Sequence, residues 1–148
     1  MRRIALCLLM LAALGTGAAC GGDSGPRLSA DEFVRQANAI CKASVDKLAA
    51  ENADIVKNPT TSPEKFVKFY REKAIPSAKQ RLSDIGDLRP PDKQKDRVKK
   101  MLSAGRKTID AADKALKKNG VAGLNEVSTK DFDKAAKDLK LDECTLEK

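Results

Sequence analysis

The chain contains no histidine and no tryptophan, and only one tyrosine and four phenylalanines among 148 residues. Without histidine it can form no Ser-His or Cys-His nucleophile pair, no imidazole zinc site and no histidine pH switch. Aromatic residues at 3% argue against a β-sandwich, whose strands draw on β-branched and aromatic side chains. Long hydrophobic runs are equally scarce. The uncharged stretch Ile4 to Leu14 has eleven residues, short of the roughly 20 that a membrane-spanning helix requires. There is no CxxC pair, no GxxxxGK phosphate loop, no internal repeat and no useful run of strand-like alternation.

Charge and helix-forming residues are abundant: 34% of the chain is charged and the net charge is +8. The length supports one domain with a modest core. Leu, Val, Ile and Ala supply most of the apolar content, which suits packed helices.

The amino terminus reads as an export signal. Arg2 and Arg3 form a positive n-region, "IALCLLMLAAL" an apolar h-region, and "GTGAA" the small residues a signal peptidase requires. The general export route is expected, because the rest of a twin-arginine motif is missing. "TGAAC" looks like a bacterial lipobox, in which the cysteine, here Cys20, receives a diacylglyceryl thioether and becomes the first mature residue. It departs from that pattern at Gly17, where leucine is usual. Ordinary cleavage nearby, leaving Cys20 a plain thiol or half of a disulfide, is the competing reading. Cysteine arithmetic separates the two. Cys7 lies in the discarded leader, so Cys20, Cys41 and Cys144 remain, an odd number for an oxidising compartment. Lipidating Cys20 leaves Cys41 and Cys144 as a single pair. "GGDSGPR" then serves as a polar tether, and two acyl chains make anchoring stable where one would be marginal. The expected organisation is a removed signal peptide at 1–19, a lipidated cysteine and linker at 20–28, and a helical domain at 29–148.

Within that domain the periodicity predicts an all-α, up-down bundle of about four helices. "SADE" forms a capping box at Ser29, followed by Phe33, Ala37, Ile40, Cys41, Ser44, Val45, Leu48 and Ile55 at helical spacing. Ser62 and Pro63 start a second helix carrying Val67, Tyr70, Ala74, Ala78, Leu82 and Ile85, with Pro76 expected to kink it near Glu72. "LRPPD" is a stop and restart. The third helix, Asp92 to Lys118, carries Val98, Met101, Leu102, Gly105, Ile109, Ala112 and Leu116, and ends at Asn119-Gly120. Ser128 is the expected cap of a short fourth helix with Phe132, Ala135, Ala136 and Leu139. A bond between Cys41 and Cys144 would close a loop of about a hundred residues, which constrains the unfolded state by roughly 4.7 kcal/mol in the chain-entropy model. A redox-active pair is the alternative, and the distance in sequence argues for a structural staple.

Removing the leader takes away two bases and no acids, leaving a net charge of +6. Arg89 to Lys118 holds a surplus of seven, so the third helix carries essentially all of the excess. Lys93, Lys95, Arg97, Lys99, Lys100, Arg106 and Lys107 crowd its first half. A solvated face is one reading; electrostatic docking onto anionic headgroups or wall polymer is the other, worth about 1 kcal/mol per well-placed base. Nucleic acid is not expected, because no aromatic residues interleave with the bases and the domain faces away from the cytoplasm. Phe66, Phe69 and Tyr70 cluster near Pro76 and can serve either as core or as a ligand wall. Ser62 and Lys65 have the SxxK spacing of penicillin-interacting enzymes, but the SDN and KTG elements are missing. The acids of "DEFVRQ" and "STKDFDKAAKD" read as caps and surface pairs. No catalytic constellation, metal site or cofactor is expected.

"CGG" at Cys20 to Gly22, "FVRQANAIC" at Phe33 to Cys41, the "L..LRPP" break between Leu82 and Pro91, and a lone late cysteine at Cys144 together resemble small secreted lipoproteins of actinobacterial type. The likeness spans nearly the whole mature chain. It implies a helical domain with one disulfide and implies no activity. The expected protein is exported, lipid-anchored and non-enzymatic, binding a protein partner or envelope component. The alternatives are a small-molecule carrier with its cavity inside the bundle and, behind it, an enzyme of unrecognised type.

Overall fold

Ser29 opens α1 (Ala30–Glu51) by accepting the Glu32 amide N–H on its Oγ at 3.2 Å. That is half of the expected capping box. The Glu32 carboxylate turns away and accepts instead from Arg35 at 3.1 Å and Gln36 at 3.3 Å. The computed structural model describes residues 26–57 and 62–146; Cys20, the leader and the first part of the tether lie outside the described residues. Asn52 closes α1 by donating its side-chain amide to the Leu48 carbonyl at 2.9 Å, and a short α2 (Ala53–Lys57) follows.

The second rod has three parts without a break: α3 (Pro63–Phe69), a widened π-helical turn (Tyr70–Ala74) and α4 (Ile75–Asp87). Pro76 has no N–H and its ring crowds the carbonyl of Glu72, four residues back. The chain answers with the wide turn, in which the Ile75 N–H reaches the Tyr70 carbonyl, five residues back. The irregularity predicted near Glu72 is therefore present, as an extra residue in one turn. That residue rotates the buried face: Phe69, Ile75, Leu82 and Ile85 are buried, while Val67 and Tyr70, expected on the core stripe, are only partly covered.

Pro90 and Pro91 end the second rod, and one 3-10 turn (Asp92–Gln94) leads into α5 (Lys95–Asn119). Gly120, at φ 57°, caps α5 in a region that favours glycine. A 3-10 segment (Gly120–Glu126) then leads to α6 (Lys130–Lys137), with Thr129 at its N-cap where Ser128 was expected. A last 3-10 turn spans Asp142–Cys144.

Neighbours in sequence are neighbours in space: α1 packs on α4, α4 on α5 and α5 on α6. Their directions alternate. Leu28, just before α1, donates to the Arg89 carbonyl beyond the end of α4 at 2.8 Å, and the segment after α5 packs against α3 at the start of the second rod. The result is the expected all-α up-down bundle, with no strand among the described residues. Arg27 and Leu28, expected in the tether, are docked on the "LRPP" break, and Arg27 Nε pairs with Asp92 at 3.0 Å.

The core joins Phe33, Ala37 and Cys41 of α1 to Leu82 and Ile85 of α4, Val98, Met101 and Leu102 of α5, and Phe132 and Ala136 of α6. Gly105 is where three helices meet. A Cβ there would come within 2.9 Å of Leu82 and 3.0 Å of Phe132. Cys41 and Cys144 form the expected disulfide, spanning 103 residues of sequence with Cα atoms 5.1 Å apart. Asn38 reinforces it: its amide nitrogen donates to the Lys140 carbonyl at 3.1 Å and its oxygen accepts from the Glu143 N–H at 3.0 Å. The carboxyl-terminal turn is thus fastened to α1 by one covalent bond and two hydrogen bonds.

Candidate functional site

Beyond Cys41 and Gly105 the core stripes of α1 and α5 continue, but their side chains become small. Ser44, Ser77, Ala78, Thr108 and Ala112 stand where filling the bundle would take leucines or phenylalanines. A cavity of about 390 Å³ results. Its wall comes from α1 (Ser44, Val45, Leu48), the second rod (Tyr70, Ile75, Ala78, Arg81), α5 (Thr108, Ile109, Ala112) and the segments around α6 (Leu124, Phe132, Leu146). This volume lies in the range of small-ligand sites, about 300–1,000 Å³. For scale, an engineered cavity of about 150 Å³ accepts benzene. Val45 and Leu146 line it and are 45% and 48% exposed, so its mouth is rimmed by aliphatic side chains that face solvent.

One charged side chain enters this apolar wall. Arg81 is 9% exposed, and its Nε is buried without a hydrogen-bond partner. Among the described residues its guanidinium forms no ion pair. Burial pushes its pKa below the usual arginine value, because a charge removed from water is harder to keep. Glu51, Glu72 and Asp84 line a separate groove on the other side of Arg81, between α1 and the second rod, without reaching ion-pair distance. Tyr70 is held above the ordinary phenol pKa by the same desolvation. The Ser44 and Ser77 hydroxyls share a hydrogen bond of 3.0 Å between α1 and α4.

The aromatic cluster sits mostly elsewhere. Phe66, Phe69 and Tyr70 pack on one another, with ring centroids 4.9 to 6.3 Å apart. Of these only Tyr70 lines the cavity. Pro76 lines the outer grooves. The cavity anticipated near these residues takes in Tyr70 and the neighbours of Pro76 (Ala74, Ile75 and Ser77), leaves Phe66 and Phe69 out, and extends along the second rod to Arg81. Arg81 was missed by sequence reasoning, although a signal was there. Ala74, Ala78, Arg81 and Ile85 follow the four-three-four spacing of one helix face, which puts a cation on a core position.

The seven bases singled out in sequence are all exposed. Lys93 lies in the 3-10 turn and the other six on α5. None forms an ion pair among the described residues. At 3.6 residues per turn, Lys95, Lys99 and Arg106 fall along one edge of the face opposite the core, Lys100 and Lys107 near its middle and Arg97 toward its other edge. They surround the exposed face and do not converge on a point. No described helix is long and apolar enough to cross a membrane. No group of three or more metal-ligating side chains occurs among the described residues.

Compared with known proteins, the chain matches no protein-family model, no curated sequence and no solved structure.

Proposed function

We propose that this is a lipid-anchored lipoprotein facing outside the cytoplasm, whose bundle binds a small apolar ligand without transforming it. The cavity carries this reading. A domain whose only task is surface recognition has no use for an unfilled core, and an unfilled core costs stability. Here the voids are merged into one space with an aliphatic rim. Of the two binding modes expected from sequence, the cavity favours the small-molecule carrier. The anchor is supported by the disulfide: with Cys41 and Cys144 joined, no described cysteine is left to pair with Cys20.

Nile red, a neutral dye whose emission rises in apolar surroundings, tests the cavity. Its fluorescence is expected to rise with the folded wild type and to rise less in Ala112→Leu, which narrows the space. No rise with the wild type over its unfolded form removes the carrier reading. Intact mass of the membrane-extracted protein tests the anchor, through loss of the leader, the added diacylglycerol and the two hydrogens lost at the disulfide.

The unpaired bases of α5 support a second contact, in which the tethered domain leans its basic face on anionic headgroups or wall polymer. Co-sedimentation of the unlipidated domain with anionic and with neutral vesicles tests it. Equal recovery with both rules the contact out.

A further inference from the structure

The cavity wall is apolar, mostly aliphatic with the rings of Tyr70 and Phe132, apart from a few hydroxyls and one cation, and that cation forms no ion pair among the described residues. We propose that the ligand is a single-chain amphiphile with an anionic head, of the fatty-acid carboxylate class, its head on Arg81 and its chain in the space beyond. This rests on the carrier reading above and adds the charge and shape of the occupant.

A guanidinium held largely out of water without a partner is costly. A charge taken out of water must be paired or hydrogen-bonded, or it is strongly unfavourable. Arg81 is 9% exposed, its Nε donates to nothing, and no described carboxylate pairs with it. Arginine cannot relieve this by losing its proton at ordinary pH. The planar fork of donors matches a carboxylate bidentately, so an anionic ligand supplies the missing partner. The Ser44 and Ser77 hydroxyls, bonded to each other on the same wall, leave one O–H free to donate as well.

The rest of the wall describes the other end of the ligand. Leu48, Ile75, Ile109 and Leu124 offer contacts without direction, suited to an alkyl chain. A volume of about 390 Å³ takes a chain of medium length and excludes a two-chain phospholipid. Val45 and Leu146 at the rim, roughly half exposed, give the chain an apolar path inward.

The test compares ligands that differ only at the head. Decanoate and decylamine below their micelle concentrations, and decyl alcohol below its solubility limit, are titrated by calorimetry into the oxidised chain carrying Cys20→Ser, which needs no detergent. Decanoate is expected to bind at least tenfold more tightly than the alcohol, and decylamine most weakly. Arg81→Met is expected to bring decanoate down to the level of the alcohol while leaving alcohol binding intact. Arg81→Lys, which keeps the charge without the fork, recovers part of the preference. Equal affinity for the three ligands in the wild type overturns the role of Arg81 and leaves the carrier reading standing. Binding of none of them, with Nile red also silent, overturns both. Far-UV circular dichroism of Arg81→Met and Arg81→Lys establishes that both variants fold. Anionic phospholipid vesicles form a further arm: uptake by vesicles without binding of free decanoate overturns the single-chain assignment.

Discussion

Phe33, Ala37 and Cys41 in the first half of α1 are at most 1% exposed, whereas Ser44, Val45 and Leu48, which continue the same stripe, line an open cavity. α5 repeats the contrast. Val98, Met101 and Leu102 are buried in a filled core, while Thr108, Ile109 and Ala112 border the cavity. The two ends share helices, period and handedness; they differ in side-chain volume and in fastening. The filled end has the disulfide, the Asn38 clasp and the Gly105 close approach. The hollow end has a widened helical turn and alanine, serine and threonine. Stability is concentrated at one end and room for a ligand at the other.

The largest expected effect removes the fastening. Cys41→Ala with Cys144→Ala should lower the unfolding free energy by about 2–5 kcal/mol, measured by urea denaturation of oxidised wild type and variant. A loss under about 1 kcal/mol would mean that the filled end holds without its staple. Truncation then separates the ends directly. Met101→Ala, at 0% exposure, should cost about 2–5 kcal/mol, because it opens a new void. Ile109→Ala should cost about 1 kcal/mol, since it enlarges a space that is already there and forfeits fewer contacts. Equal losses would erase the distinction between the two regions.

Adding volume should reverse the order. Gly105→Ala drives a methyl group into Leu82 and Phe132 and should destabilise by about 1–3 kcal/mol. Ala112→Leu should leave stability unchanged or raise it, because the new side chain has somewhere to go. A gain of about 1 kcal/mol or more is expected from Arg81→Met in the ligand-free protein, since it deletes a buried cation that has no partner among the described residues. Thermal unfolding of these variants side by side reads all of them. A wild type less stable than Arg81→Met is what a residue kept for binding looks like.

Most of the fold was legible because it depends on period and punctuation. Ser29, Pro63, the "LRPP" break and Gly120 mark element ends through local chemistry, and each does so in the structure. The Cys41–Cys144 bond followed from counting. The phase of the second rod did not follow, because a π turn adds one residue to a repeat that was counted as uniform. The extent of the cavity did not follow for a related reason. Periodicity reports which residues face inward but not whether they fill the interior, and Ala112 looks the same in a packed core and beside a void. Arg81 was legible in spacing and was passed over, because charged residues are ordinarily read as surface.

Tyr70 offers the finest measure of the hollow end, and as the single tyrosine it can be followed without ambiguity. Burial raises its pKa above the ordinary value of about 10. The sign follows from linkage. Below the unfolded pKa the phenol is neutral in both states and its contribution to stability is complete. As pH rises through the folded pKa, the unfolded chain ionises first and that contribution is lost. Ultraviolet absorbance titration should therefore show ionisation later in the native protein than in denaturant, where it returns to about 10. Narrowing the cavity with Ala112→Leu should move the native titration further upward, because a drier wall penalises the phenolate more. A native curve that overlays the denatured one would mean that water already reaches the ring freely, and the hollow end would then be a wet cleft in which an alkyl chain gains little.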